Sequence, residues 1–241
     1  MKKSLFKKIT SLLMATALIA VSLTACKTSD SASNKDDKVY RTVDEIKESG
    51  VINIGVFSDK SPFGYVDENG NYAGYDVYFA NQIAKDLGVE VNFVSTEAAN
   101  RIEYLQTGKV DIILANFTVT DERKEEVDFS LPYMNVSLGV VSPSDAVVES
   151  LDDLGKNDQV IAFSLENEGY TVGIPSLGDA DTIAPAVTKG NESLLNWLNE
   201  ETVSLASKNF FHEDYEATLK DTYGEDYEDT LVVESTSLTN N

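Results

Sequence analysis

Apolar and polar residues along this chain fall into blocks that switch between strand-like runs and helix-like spacing. VINIGVF (Val51–Phe57) is a nearly unbroken apolar run of strand length, which predicts a buried strand. Val77, Phe79, Ile83, Ala84 and Leu87 recur at helical spacing, with Asp76 placed to cap the helix and Gly88 to close it. VEVNFV (Val89–Val94) predicts a second strand, residues 98–107 a helix stopped by Gly108, and VDIILANF (Val110–Phe117) a third strand. Apolar strands alternating with helices predict a parallel sheet covered on both faces, an α/β lobe.

The pattern continues less regularly. VSLGVVS (Val136–Ser142) predicts a strand, ESLDDL (Glu149–Leu154) a short helix, and NDQVIAFSLENEG (Asn157–Gly169) a helix ended by glycine. YTVGIP and DTIAPAV predict short strands. A helix follows through Leu194, Leu195, Trp197, Leu198 and Leu205, with Trp197 reading as core. A last helix spans about Glu213 to Tyr223, before Gly224.

The N-terminus follows a different pattern. Lys2, Lys3, Lys7 and Lys8 precede an apolar run from Ile9 to Val21, and Leu23-Thr24-Ala25 leads to Cys26, the only cysteine. The run falls short of the roughly 20 apolar residues of a membrane span. It reads as a signal peptide (residues 1–25) with a lipobox, so Cys26 is expected to become the lipidated N-terminus of an extracytoplasmic, membrane-anchored protein. Residues 26–39 are the lipidated cysteine and a flexible linker, KTSDSASNKDDK at its centre. With its thiol consumed, the mature chain has no disulfide to lean on.

Charge narrows the partners. The chain carries −22 overall; without the four leader lysines, 15 basic side chains face 41 acidic ones, a balance of −26. That disfavours nucleic acid and anionic lipid surfaces. At 42% hydrophobic the chain can bury a real core.

In an open α/β sheet, ligands bind beyond the carboxyl ends of the strands. Here those ends are Phe57–Lys60, Ser95–Glu97 and Asn116–Thr118, the last followed by VTDER. Thr120 can cap a short helix, and Arg123 in its first turn can clamp a carboxylate. Phe63 can wall a side chain, and Glu97 or Asp59 can meet an ammonium, a set suited to a zwitterion. Each has a plainer reading. Arg123 among Asp121, Glu122, Glu125 and Glu126 also reads as a solvated ion-pair partner, Phe63 as packing, and Asp76 as a cap. Enzyme motifs such as GxSxG, the P-loop and HExxH are missing from the sequence. One histidine, His212, and one lipidated cysteine do not make a usual zinc site. No catalytic residue, metal or cofactor is expected.

Several stretches carry a resemblance: SDKSPFGYVDENGNYAGYDV, EAANRIEYLQTGKVDIILANFTVTDERKEEVDFSLPYM, SLGVVSP, SLGDADTIAPAVTKGN and NFFHEDYEATLK. In these the chain resembles the solute-binding lipoproteins of polar amino-acid ABC transporters, and is most similar to their cysteine/cystine-binding branch. The resemblance implies a type II periplasmic-binding-protein-like fold with two α/β lobes, joined by a two-strand hinge and closing on one small polar amino acid for delivery to a membrane permease. It places the carboxylate-gripping arginine on Arg123, main-chain and hydroxyl contacts on Asn116, Phe117 and Thr118, and the ligand-facing aromatic near Phe63, beside Lys60. Glu97 and Arg101 fall in EAANR, a segment similar to the cysteine-binding branch.

One departure stands out. After Leu151–Leu154 the family pattern continues through a Gly-Thr-Thr ligand turn to an aspartate for the ligand ammonium; here Gly155-Lys156 runs straight into Asn157. Roughly 45–50 residues of the pattern are missing, more than one βαβ unit of about 30 residues. Lys156 stands in the aspartate's register, with Asp158 nearby. Lobe 1 is then expected at residues 40–142 and 184–241, and a truncated lobe 2 at 143–183. The expected protein is a monomer unless the shortened lobe associates, with binding impaired or altered. The alternative is a surface lipoprotein that keeps the scaffold and binds no solute.

Overall fold

A computed structural model of the chain describes residues 38–137, 139–153, 170–174 and 178–238. The signal peptide, Cys26, most of the linker, Lys156, Asp158 and the helix expected at 157–169 lie outside the described residues.

The described chain opens with helix α1 (Val43–Ser49). Thr42 and Glu45 form a capping box at its start, and Gly50 closes it in the left-handed region. Strand β1 (Val51–Val56) follows, then a small antiparallel sheet of β2 (Asp59–Lys60), β3 (Gly64–Val66) and β4 (Tyr72–Ala73). Helix α2 (Tyr75–Leu87) ends at Gly88 as expected, but Asp76 is not its cap. Gly74 takes that position at φ 112°, where a Cβ would lie 2.5 Å from the carbonyls of Pro62 and Phe63, so no larger residue fits.

Strand β5 (Glu90–Ser95) leads through a 3-10 turn to α3 (Arg101–Gln106), with Gly108 beyond it at φ 67°. The expected strand at 110–117 contracts to β6 (Ile112–Ile113). Asp111, just before it, is held by Arg41 and by the Asn53 N–H; Asn116, just after it, turns the chain at φ 45°. Next come α4 (Asp121–Glu126), β7 (Val127–Phe129), β8 (Met134–Val136) and β9 (Val140–Pro143). The strand expected at 136–142 is thus two strands with different partners. Leu151–Asp153 forms a 3-10 turn. After it come β10 (Tyr170–Ile174), β11 (Asp181–Ile183) and β12 (Ala186–Thr188), then α5 (Glu192–Ser207), α6 (Phe210–Thr218), α7 (Lys220–Tyr223), α8 (Glu228–Leu231) and α9 (Ser235–Leu238).

The central sheet has the order β5-β1-β6-β12-β7. The first three strands are parallel, while β12 runs antiparallel to both β6 and β7, so the sheet is mixed rather than wholly parallel. Its two faces follow the two-residue period. Ile52, Ile54, Ile112 and Leu114 join α2, α5 and α6 in the larger core, and Ile113, Ala115, Ala186 and Val127 join Leu105 of α3 in the smaller one. Gly55 belongs to the tighter face, where a Cβ would meet Ile113 Cδ1 at 2.5 Å.

Two short antiparallel pairs complete the topology. β8 pairs with β11, and β9 with β10. The C-terminal segment lies against the first pair through a bridge between Val232 and Met134. None of the described helices is long and apolar enough to cross a membrane.

Candidate functional site

Three strand exits converge beyond the carboxyl edge of the sheet. The exits of β1 and β5 are joined by a 2.7 Å hydrogen bond between the hydroxyls of Ser58 and Ser95. The exit of β6 runs through Ala115, Asn116, Phe117 and Thr118, and its backbone is fastened on every side. The Asn116 N–H donates to Asp76 Oδ2 at 2.9 Å, and its carbonyl accepts from Arg101 Nη1 at 3.0 Å. The Phe117 carbonyl accepts from the Ala184 N–H, and the Val119 N–H donates to the Thr182 carbonyl. Thr118 bridges Ile183. The edge is therefore zipped to β11 and the residues after it.

Two guanidinium groups meet one aromatic ring here. Phe117 is 1% exposed; the Arg101 Cζ lies 4.4 Å from its ring centre and the Arg123 Cζ 5.0 Å. Both distances suit cation–π attraction. Thr120 caps α4 as expected, accepting from the Arg123 N–H. Arg123 Nη1 donates to the Thr118 carbonyl at 2.7 Å. Among the described residues, no carboxylate forms an ion pair with Arg123. Asp121 turns to Lys124 and Glu126 to Gln106. The guanidinium is braced from behind, and no described carboxylate neutralises its charge.

Arg101 differs. It is buried, and its hydrogen bonds go to the carbonyls of Ala98, Ala115 and Asn116. Burial foremost, and then the neighbouring charge of Arg123, lower its pKa to about 10. The structure uses it to hold the edge.

The remaining sequence-predicted residues stand apart from this group. Lys60 is exposed and paired with Asp59 at 2.6 Å. Glu97 is exposed at the start of the 3-10 turn. The Phe63 ring packs toward the larger core, 6.2 Å from that of Tyr223. His212 sits between Glu228 and Glu234. A separate groove of about 440 Å³, lined by Pro62, Tyr65, Tyr72, Tyr78, Thr218 and Asp221 among others, includes none of the predicted binding residues.

Sequence reasoning missed Asp76. Its carboxyl is fully buried and joins Asn116 to the Tyr133 hydroxyl, the latter at 2.5 Å. Burial raises its pKa to about 7, against the pull of those two hydrogen bonds and the charge of Arg101. The available signal was an acidic residue on the apolar side of α2, directly behind a glycine already able to start the helix.

The sequence profile of the bacterial extracellular solute-binding proteins, family 3, matches residues 52–217. The chain belongs to that family. This family 3 protein is 32% identical to the ABC transporter glutamine-binding protein GlnH of Bacillus subtilis, over 240 aligned positions covering 89% of this chain and 86% of the relative. Among solved structures it is similar to the solute receptor for L-cysteine of Neisseria gonorrhoeae, at 41% identity and a TM-score of 0.71, over 80% of this chain and 100% of that one. It is also similar to the cysteine-binding protein of Campylobacter jejuni, at 39% identity and a TM-score of 0.70, over 80% and 98% of the two chains. The architecture is that of a type II periplasmic-binding-protein-like fold.

Proposed function

We propose that this family 3 protein is the amino-acid receptor of an ABC importer, taking a small polar amino acid, with cysteine or cystine first, and passing it to a membrane permease. The observation that carries this reading is Arg123. Its guanidinium is braced by Phe117 and the Thr118 carbonyl at a strand exit, and no described carboxylate neutralises it. Such a group clamps an α-carboxylate. Asn116, Phe117 and Thr118 supply the adjoining main-chain and hydroxyl contacts, and Arg101 supports them from below, while Lys60, Glu97 and Phe63 stand outside this group. The names of the relatives support amino acids as the solute class.

Cys26 carries the lipid that holds the receptor beside its permease, which raises the local receptor concentration. Residues 143–183 form a shortened second lobe that lacks the family's ammonium-binding aspartate, so affinity is lower than in full-length relatives. Losing one charge-assisted hydrogen bond alone costs about 1.5–3 kcal/mol.

The test is calorimetric titration of residues 27–241 with a panel of amino acids, repeated on Arg123→Ala. Binding of a polar amino acid by the wild type, weakened at least about 100-fold in the variant, is the expected result; a buried bidentate charge pair contributes on the order of 3 kcal/mol. No heat and no thermal shift with any amino acid rejects solute binding and leaves a scaffold-only lipoprotein. Fractionation of cells expressing Cys26→Ser tests the anchor, with release from the membrane fraction expected.

A further inference from the structure

The two oxygens of Asp76 reach different parts of the molecule. Oδ2 accepts from the Asn116 N–H at the start of the binding edge, and Oδ1 accepts from the Tyr133 hydroxyl. Tyr133 directly precedes β8, and its own N–H donates to the Ile183 carbonyl of β11 at 3.0 Å. Its carbonyl in turn accepts from the Tyr75 hydroxyl, on the residue beside Asp76. Asn116 directly precedes Phe117, whose carbonyl accepts from the Ala184 N–H just beyond β11. One buried carboxyl thus meets the binding edge on one side and the β8–β11 pair on the other. Asn116 sits in the left-handed region at φ 45°, which asparagine enters more readily than other non-glycine residues, and the hydrogen bond from its N–H to Asp76 fixes that turn.

We propose that Asp76 is a positioning residue of the solute site: it holds the left-handed turn at Asn116 and ties the Asn116–Thr118 edge to the β8–β11 pair, so that the two shift as one unit when solute binds. The proposal rests on the solute-binding reading above for its ligand, but not for its structural part. The groups facing this carboxyl are the Tyr133 and Tyr75 hydroxyls, the Arg101 guanidinium of α3 and the Asp214 carboxyl of α6. When the turn opens, Asp76 returns to water and to an ordinary carboxylate pKa near 3.9. The closed turn therefore keeps the proton to higher pH, and linkage makes opening easier as pH rises from about 4 through about 7.

Asp76→Asn and Tyr133→Phe test this with two readouts. In Asp76→Asn one oxygen cannot serve both donors, and in Tyr133→Phe only the tie to the β8–β11 pair is cut. Hydrogen exchange across residues 112–120 without solute, corrected for the intrinsic rate, is expected to lose protection between pH 5 and pH 8 in the wild type. The Asp76→Asn profile is expected to be flat. At pH 8, where the carboxylate is ionised, affinity for whichever amino acid the wild type binds is expected to fall about ten-fold or more in both variants, the range for one lost hydrogen bond to a charged group. Unchanged affinity with a lowered melting temperature would make Asp76 a merely structural residue and overturn the proposal. So would parallel exchange profiles. If Asp76→Asn does not fold, Tyr133→Phe decides alone, and wild-type affinity in it overturns the tie. If the wild type binds no amino acid, the solute reading fails while the exchange profiles still decide the positioning role.

Discussion

The Arg101 guanidinium lies 4.4 Å from the centre of the Phe117 ring while its Nη1 donates to the carbonyls of Ala115 and Asn116. A side chain arranged in this way supports the Asn116–Thr118 edge from within the fold. Arg101→Ala strands three carbonyls and removes one of the two guanidinium groups that meet Phe117. It is expected to destabilise the protein by about 2–3 kcal/mol, since buried groups lose hydrogen bonds to a charged partner. For a chain of this size that corresponds to a melting temperature lower by roughly 4–12 °C. Urea unfolding measures it, and wild-type stability with lost binding would return Arg101 to direct ligand contact.

Gly55 gives a prediction about packing. A Cβ there would stand 2.5 Å from Ile113 Cδ1 and 2.8 Å from Thr96 Oγ1. Ile113 belongs to the sheet face under α3 and is fully buried, and Thr96, just beyond β5, is buried as well. Gly55→Ala is expected to cost about 1–3 kcal/mol through overpacking. The double variant Gly55→Ala with Ile113→Val should recover part of that loss, because it withdraws the methyl in the way. A stability difference below about 0.5 kcal/mol would show that the face relaxes freely.

The sequence revealed elements more readily than their partners. β1, β5, α2 and α5 were legible because apolar spacing and glycine stops are local signals, as at Gly88 and Gly108. The run Val110–Phe117 reads as one strand because all its apolar residues are buried. Only Ile112 and Ile113 pair as strand, however, because Asp111 and Asn116 are both captured by distant groups. The split between β8 and β9 was hidden for the same reason, since their partners β11 and β10 lie tens of residues away. At the site, VTDER disclosed the capped turn and Arg123, whereas the burial of Arg101 and the reach of Asp76 to Asn116 depend on long-range contacts.

Asp214 of α6 predicts an unusual slope of stability with pH. It is fully buried; Oδ1 accepts from the Thr218 hydroxyl at 3.1 Å, and Oδ2 is buried without a hydrogen-bond partner among the described residues. Burial, foremost, and the nearby Asp76 charge hold its pKa well above the ordinary carboxylate range. An unfolded aspartate ionises near pH 3.9, so above that pH the folded chain binds more protons than the unfolded one. Stability from this group therefore falls as pH rises. Asp214→Asn is expected to match the wild type within about 1 kcal/mol near pH 4, as neutral side chains of similar shape do. It should be the more stable protein at pH 8. Urea midpoints between pH 4 and pH 8 check it, and parallel curves would refute it.

His212 predicts a pH dependence of the same sign for the C-terminal segment, through the loss of a stabilising contact. Its Nδ1 faces Glu228 at 2.6 Å and its Nε2 faces Glu234 at 3.0 Å, so a charged imidazole staples both to α6. Between these glutamates lies Val232, the residue bridged to Met134 of β8. Burial alone disfavours the imidazolium, but the hydrogen bonds and charges of Glu228 and Glu234 outweigh it and raise the pKa. A raised histidine stabilises fully below its unfolded pKa of about 6.5, and that stabilisation is lost as pH climbs through the folded value. His212→Gln is expected to destabilise the segment by about 1–2 kcal/mol near pH 6, the scale of charge-assisted hydrogen bonds. The difference from wild type should shrink steadily above pH 7. Limited proteolysis between residues 224 and 238 at pH 6 and pH 8.5 reads this directly. The wild type should be cut faster at the higher pH, and the variant should be cut quickly at both. Equal protection of the two proteins at pH 6 would show that apolar burial of Val232 and Leu238 holds the segment without the staple.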